Sequence, residues 1–229
     1  MQVRIILLAQ AKLVLERSPA AQLAAVRRPC SLEEQTIGDG KQMDATPEMP
    51  ASSLIELLCI LEESSVQVWL DGGWGVDALL GHQTRKHMDV DMILRVADVV
   101  RARRILANRG FTYKEGSLPT SFVLADSAGL EVDVHAVVFD EEGNGIYRMQ
   151  NGEDWIYPAE GFMGSGMVDG VAVRCLSPAI QVLCHAHGYE PTEKDFRDME
   201  LLQKRFGVEL PPQLKRDNRD SGDADVLTT

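Results

Sequence analysis

The chain has 229 residues, 45% hydrophobic and 25% charged, which is enough apolar side chain for a full core and the composition of an ordinary soluble protein. Its 35 acidic against 23 basic residues give a formal net charge of −12, which argues against a long polyanionic partner, because nucleic-acid binding leaves a basic footprint. The same acidic excess suits a cationic small substrate and equally suits plain solubility.

Cys30, Cys59, Cys175 and Cys184 lie far apart with no Cys-x-x-Cys pair, so neither a zinc site nor a secreted disulfide framework is written in their spacing. Reduced, mostly buried thiols in a cytoplasmic protein are the simplest expectation. The opening apolar run is short and meets Lys12 and Glu16 at once, unlike a signal peptide. No stretch reaches membrane-spanning length.

In chain order, residues 1–30 carry helical apolar spacing (Ile6, Leu7, Leu13, Val14, Leu23), and 31–51 are polar and turn-rich, with Gly38-Asp39-Gly40 and Pro47. Residues 1–51 are therefore expected to be an extension, helical and then a linker. Ser52-Ser53 are expected to cap a helix with Leu54, Leu57, Leu58 and Leu61 on one face. A β-prone run at 66–70 ends in Asp71-Gly72-Gly73, and 74–80 reads as a helix stopped by Gly81. A strand at 88–95 precedes a helix at 97–109 carrying Val99, Val100, Ile105 and Leu106. Strands are expected near 111–114, 120–126 and 130–138.

Residues 139–176 are glycine-rich, implying turns and short strands, with a hairpin closed by Gly170 to Val173. Ser177-Pro178 suits a helix start, and Thr192 to Asp195 opens a second helix running to Gly207. The charged tail from 213 to 229 is expected to lack fixed structure. Together these give an α/β (α+β) fold: a catalytic domain at 52–176 built on a mixed sheet flanked by helices, then a small helical hairpin at 177–212.

The chemistry concentrates in three aspartates. If 88–94 is a strand, Asp89 and Asp91 share one face while Val90, Met92 and Leu94 enter the core. The alternating run Leu130 to His135 can bring Asp133 alongside them, although Glu131, Asp133 and His135 together also fit a polar outer face. Crowded carboxylates repel and cost desolvation, and divalent cations relieve this; oxygen donors at such density suit magnesium or manganese. Gly72 and Gly73 permit a sharp strand-to-helix turn and close approach of backbone N–H groups to phosphate.

Gly72-Gly73-Trp74-Gly75-Val76-Asp77, then Gly81, then Arg85-Lys86-His87-Met88-Asp89-Val90-Asp91, resembles the polymerase-β-like nucleotidyltransferase superfamily, and within it the small aminoglycoside and lincosamide nucleotidyltransferases. The resemblance spans about residues 52–210. It implies transfer of AMP from ATP to a hydroxyl of a small molecule with release of pyrophosphate. It also implies two magnesium ions, with manganese as an alternative, held by Asp89, Asp91 and Asp133, and Asp133 as general base. Gly72, Gly73, Arg85 and Lys194 are the residues implied at the nucleotide.

Each of these has a plainer alternative. Arg85 and His87 can instead pair with Asp77 or cap their loop, and Lys194 can pair with Asp198 at helical spacing. Asp77 fits a structural bond to the loop carrying Arg85, Trp74 fits the core, and Ser121 fits ordinary strand surface. Cys184, His185 and His187 point to different faces of one helix and are not expected to bind metal. The acidic residues at 140–142 and 153–154, with Trp155, Tyr157 and Glu160, fit either a rim for a polycationic drug or an exposed acidic loop. A protein-directed adenylyltransferase and a non-catalytic nucleotide-binding module are the rival functional readings.

Overall fold

The computed structural model describes residues 48–187 and 189–216. The expected N-terminal helix, Cys30 and most of the tail lie outside the described residues. Helix α1 (Ala51–Glu63) buries Leu54, Leu57 and Leu61. It starts on extended Pro50 with no side-chain cap, so Ser52 and Ser53 lie inside its first turn instead of capping it. Met49, just before it, is fully buried, and its amide bonds the carbonyl of His87 at 2.8 Å.

Strand β1 (Trp69–Asp71) runs directly into α2 (Gly72–Leu80), which ends on left-handed Gly81. β2 (Asp89–Arg95) is followed by a 3-10 turn at Val96–Asp98 and α3 (Val99–Ala107). α3 buries Val99, Ala102 and Leu106, and the expected core residue Val100 is 81% exposed. The i, i+3, i+7 spacing of the buried three defines the inward stripe, and Val100 lies about 100° away from it.

β3 (Thr112–Ser117), β4 (Ser121–Ala125), β5 (Glu131–Phe139), β6 (Gly145–Arg148) and β7 (Asp154–Tyr157) complete a seven-stranded mixed sheet. Its order is β1-β2-β5-β4-β3, with β6 joined to β5 and β7 to β6. β2 and β5 are parallel and the other pairs antiparallel. On the edge away from β2, β5 changes partner: β4 covers Glu131 to His135 and β6 covers Val137 to Phe139. At the change, the Ala136 amide bonds Thr120 O at 2.7 Å.

Period-2 alternation divides the sheet into two faces. Val90, Met92, Leu94, Val132, Val134, Phe122 and Leu124 pack with α1 and α3 in the larger core cluster. The other face carries the acidic residues at one end. At the other end Trp69, Ile93, Val137, Tyr147 and Tyr157 form a second core with Leu176 and Ile180.

A hairpin of β8 (Ser165–Val168) and β9 (Val171–Arg174) packs on α2. Its two-residue turn, Asp169-Gly170, has positive φ at both positions, the form that matches strand twist in tight hairpins. Gly164-x-Gly166 thus belongs to a strand entry, as expected of a segment that is not a dinucleotide fingerprint. A Cβ on Gly166 would strike the backbone of Ala78 and Leu79.

α4 (Pro178–Ala186) and α5 (Glu193–Phe206) bury Val182, Ala186, Met199 and Leu202 against Val76 of α2. α5 begins with a capping box between Thr192 and Asp195 and ends on left-handed Gly207. α2 is therefore held from both sides: Trp74 and Ala78 enter the sheet core, and Val76 enters the C-terminal cluster. Among the described residues no helix is long and apolar enough to cross a membrane.

Gly166→Ala pushes β8 off α2 and is expected to cost about 1–3 kcal/mol of stability. Urea unfolding checks it, and a variant with unchanged midpoint would refute the close packing.

Candidate functional site

The strand register puts three carboxylates in a row. Asp71 on β1 is paired with Asp91 on β2, and Asp91 is paired with Asp133 on β5. Asp89 sits two residues earlier on the same face, opposite Glu131. Glu131 is drawn outward by Lys114 at 2.5 Å. Ligand atoms of Asp91, Asp133 and His135 all lie within 4.8 Å of one another, a cluster that excludes the more exposed Asp89. His135 is the member that sequence reasoning left out: it was placed on the Asp133 face but read as outer polar surface. Its Nε2 lies 3.7 Å from Asp133 Oδ2, and its Nδ1 lies 3.3 Å from the Tyr147 hydroxyl.

Electrostatics here is unfavourable to the bare carboxylates. Burial, followed by the charges of Asp89, Asp71 and Asp133, holds the Asp91 carboxyl well above the ordinary range, opposed by Lys194. Burial also raises Asp133, with His135 pulling it down and Asp89 and Asp71 pushing it up. Buried, crowded oxygen donors of this kind fit a divalent cation, whose charge offsets both the burial and the repulsion.

The start of α2 is shaped around this row. Gly72 has φ +57, and a Cβ there would collide with the Asp91 carboxylate. Asp71, which the sequence reading treated as a turn residue, caps α2: its Oδ1 accepts the Gly72 amide at 2.8 Å. The donors that remain toward solvent in the first turn are therefore those after Gly72. A Cβ on Gly73 would strike the His87 ring and Arg85 Nη2, so both glycines are fixed by close approach of functional side chains.

Arg85 reaches Asp198 of α5, with Nη2 at 2.8 Å and Nε at 3.2 Å from Oδ2. Its Nη1 donates to His87 Nδ1 at 3.0 Å, which leaves His87 Nε2–H to donate to Asp77 Oδ2 at 2.5 Å. Asp77 Oδ1 accepts from Thr84 at 2.7 Å. Asp77, His87 and Asp198 are all buried. Arg85 is thus engaged in tying the loop before β2 to α5. Asp198, the alternative partner weighed for Lys194, is occupied by Arg85. Lys194 is exposed in the first turn of α5, near enough to Asp91 to favour its charged form.

Trp74 is 2% exposed, packs in the core and meets the His87 ring at a 43° tilt with centroids 4.7 Å apart. Ser121 opens β4 on the site face and accepts from Gln150 at 3.5 Å. His185 bonds Gln181 O at 2.8 Å, and no metal cluster forms around Cys184, His185 and His187 among the described residues. Burial raises the Cys175 thiol to about 12, as suits an inert core residue.

The sequence model of the aminoglycoside-2''-adenylyltransferase family matches residues 53–202. The chain belongs to that family. It is accordingly a nucleotidyltransferase of the adenylyl-transferring kind. It is 28% identical over 150 residues to a lincosamide resistance protein of Staphylococcus haemolyticus, covering 66% of this chain and 92% of that protein. A 2''-aminoglycoside nucleotidyltransferase of Klebsiella pneumoniae is 43% identical over 37 residues, 16% of this chain and 21% of that one.

Among solved structures, the lincomycin-bound lincosamide antibiotic adenylyltransferase LnuA superposes with a TM-score of 0.61 at 26% identity, covering 68% of this chain and 98% of that chain. ANT(2'')-Ia in complex with adenylyl-2''-tobramycin gives a TM-score of 0.52 at 21% identity, covering 67% and 87%, and speaks to the fold alone.

With metal chelated, Asp91→Asn is expected to raise the melting temperature at neutral pH. The folded-state pKa of Asp91 lies above its unfolded value, so its cost is full above the folded pKa. That cost shrinks as pH falls through it and disappears below about 3.9, the ordinary aspartate value. Thermal scans in chelator at neutral and acid pH check this; equal melting temperatures at neutral pH would contradict the repulsion.

Proposed function

We propose that the enzyme transfers AMP from ATP to a hydroxyl of a small antibiotic of the aminoglycoside or lincosamide class, releasing pyrophosphate. The observation that carries this reading is the in-register row of Asp71, Asp91 and Asp133 beside a helix start opened by Gly72 and Gly73. Family membership supplies the reaction class, and the LnuA and aminoglycoside relatives supply the acceptor class.

Asp91 and Asp133 would hold magnesium, or manganese in its place, with exposed Asp89 as the carboxylate at the mouth. When bound, the cation neutralises triphosphate charge and makes the α-phosphorus more electrophilic. The amides following Gly72 in the first turn of α2, at the positive end of its dipole, receive phosphate oxygens. Lys194 faces the same space from α5 and adds a full positive charge. Arg85 serves the nucleotide by fixing α5 through Asp198. Asp133 accepts the proton of the acceptor hydroxyl as its oxygen bonds to the α-phosphorus and the bond to pyrophosphate breaks.

Pyrophosphate release from magnesium ATP, measured with a panel of both drug classes, tests the function. Asp133→Ala is expected to lower kcat by about a hundredfold or more while keeping most ATP affinity. Lys194→Ala is expected mainly to raise KM for ATP, by about tenfold. An Asp133→Ala enzyme turning over at the wild-type rate would remove that residue from the base role, and an unchanged ATP KM would remove Lys194 from the nucleotide.

A further inference from the structure

His135 follows Asp133 on the same face of β5, where its imidazole borders the carboxylate row. Its Nε2 lies 3.7 Å from Asp133 Oδ2, too far for a hydrogen bond. Two donors bound to one ion at about 2.1 Å each stand roughly 3–4 Å apart, so the gap has the width of a shared cation. Asp91 completes the group, since a ligand atom from each of the three residues lies within 4.8 Å of the other two. The His135 and Asp133 side chains are 24% and 34% exposed, which leaves an ion a way in from solvent.

The other ring nitrogen is held by a buried neighbour. Nδ1 lies 3.3 Å from the Tyr147 hydroxyl, and the two rings meet edge-on with centroids 5.3 Å apart. The same hydroxyl reaches Ser121, and burial first, with the Asp133 charge besides, holds its pKa above the ordinary value, so it keeps its proton. A hydroxyl that donates to Ser121 accepts Nδ1–H, and this leaves the Nε2 lone pair facing the carboxylates. Metal-binding histidines are commonly fixed in this way, through a hydrogen bond at the nitrogen that does not ligate. Of the other histidines, His87 uses both nitrogens on Arg85 and Asp77, and His82, His185 and His187 join no such cluster among the described residues.

Resting on the function proposed above, we infer that His135 Nε2 is a cation ligand beside Asp91 and Asp133, and that it makes this position select a first-row transition-metal dication over magnesium. Magnesium is a hard ion that takes oxygen donors and keeps several of its waters, so an imidazole adds little to its binding. Transition-metal dications gain from imidazole, and manganese is the member whose liking for carboxylate oxygen also matches Asp91 and Asp133. Asp89 lies outside the cluster, so an ion bound toward it would meet oxygen donors alone and show no such preference.

The test uses the full chain, stripped of metal, in a buffer without nitrogen ligands. Calorimetric titration is expected to give manganese at least about tenfold tighter than magnesium, and His135→Gln to weaken manganese about tenfold with magnesium unchanged. The electron spin-echo signal of bound manganese is expected to carry modulation from a directly bound nitrogen, and His135→Gln to remove it. The wild-type spectrum decides the ligand even where the variant folds poorly.

Manganese bound without nitrogen modulation, or no more tightly than magnesium, overturns this inference, while pyrophosphate release with either ion leaves the transferase reading intact. Nitrogen-coupled manganese in a protein that releases no pyrophosphate with any drug of the two classes supports the ligand set and overturns the transferase reading. Failure to bind either ion overturns both.

Discussion

Repulsion between neighbouring carboxylates is the constraint around which this fold is arranged. A parallel pair and an antiparallel pair of strands bring Asp71, Asp91 and Asp133 into adjacent register positions on one face. In water such a row would be a modest penalty; on a half-buried sheet surface the lower dielectric magnifies it. The protein tolerates it because the opposite face of the same strands is fully apolar. Val90, Met92, Val132 and Val134 are buried against α1 and α3, and each such side chain contributes about 1.5–3 kcal/mol. Stability gained behind the sheet sustains a strained arrangement in front of it.

On the proposed function, the second requirement is that the elements gripping the nucleotide keep their relative positions. In that reading α2 supplies the backbone donors and α5 supplies Lys194, yet the two helices are more than a hundred residues apart in the chain. An apolar cluster around Val76, Met199 and Leu202 joins them, and a buried polar network sets their alignment. In that network Thr84 and His87 donate to Asp77, and Arg85 to His87 and Asp198. Paired buried groups of this kind rigidify, because a shift leaves a buried carboxylate without its partner.

Much of this was legible in the sequence because it follows local periodicity. The two-residue spacing of Asp89 and Asp91, the glycine pair, and the Thr192 to Asp195 capping pattern are all set by neighbours in the chain. The mixed sheet followed from strands separated first by helices and then by turns. What escaped depended on partners distant in sequence. Asp71 reads as a turn residue until its pairing with Asp91 is known, although its position immediately before the glycine pair was a usable signal. Arg85 reads as a phosphate ligand until Asp198 appears beside it. Val100 was misplaced because it lies about 100° round the helix from Val99, on the side away from Ala102 and Leu106, and the sequence pattern did not say which valine opens the stripe.

The handover of partners along β5 divides the strand into two halves with different neighbours. Asp133 lies on the half of the strand held between β2 and β4, and the aromatic side chains begin where β6 replaces β4. Turns border that seam at residues 118–120 and 149–153, and Gln150 of the second reaches Ser121 at the start of β4 at 3.5 Å. The register of Asp91 against Asp133 is set by β2 and β4 and not by those turns. On the proposed function, that separation lets residues on the acceptor side vary while the bond-making apparatus stays in place.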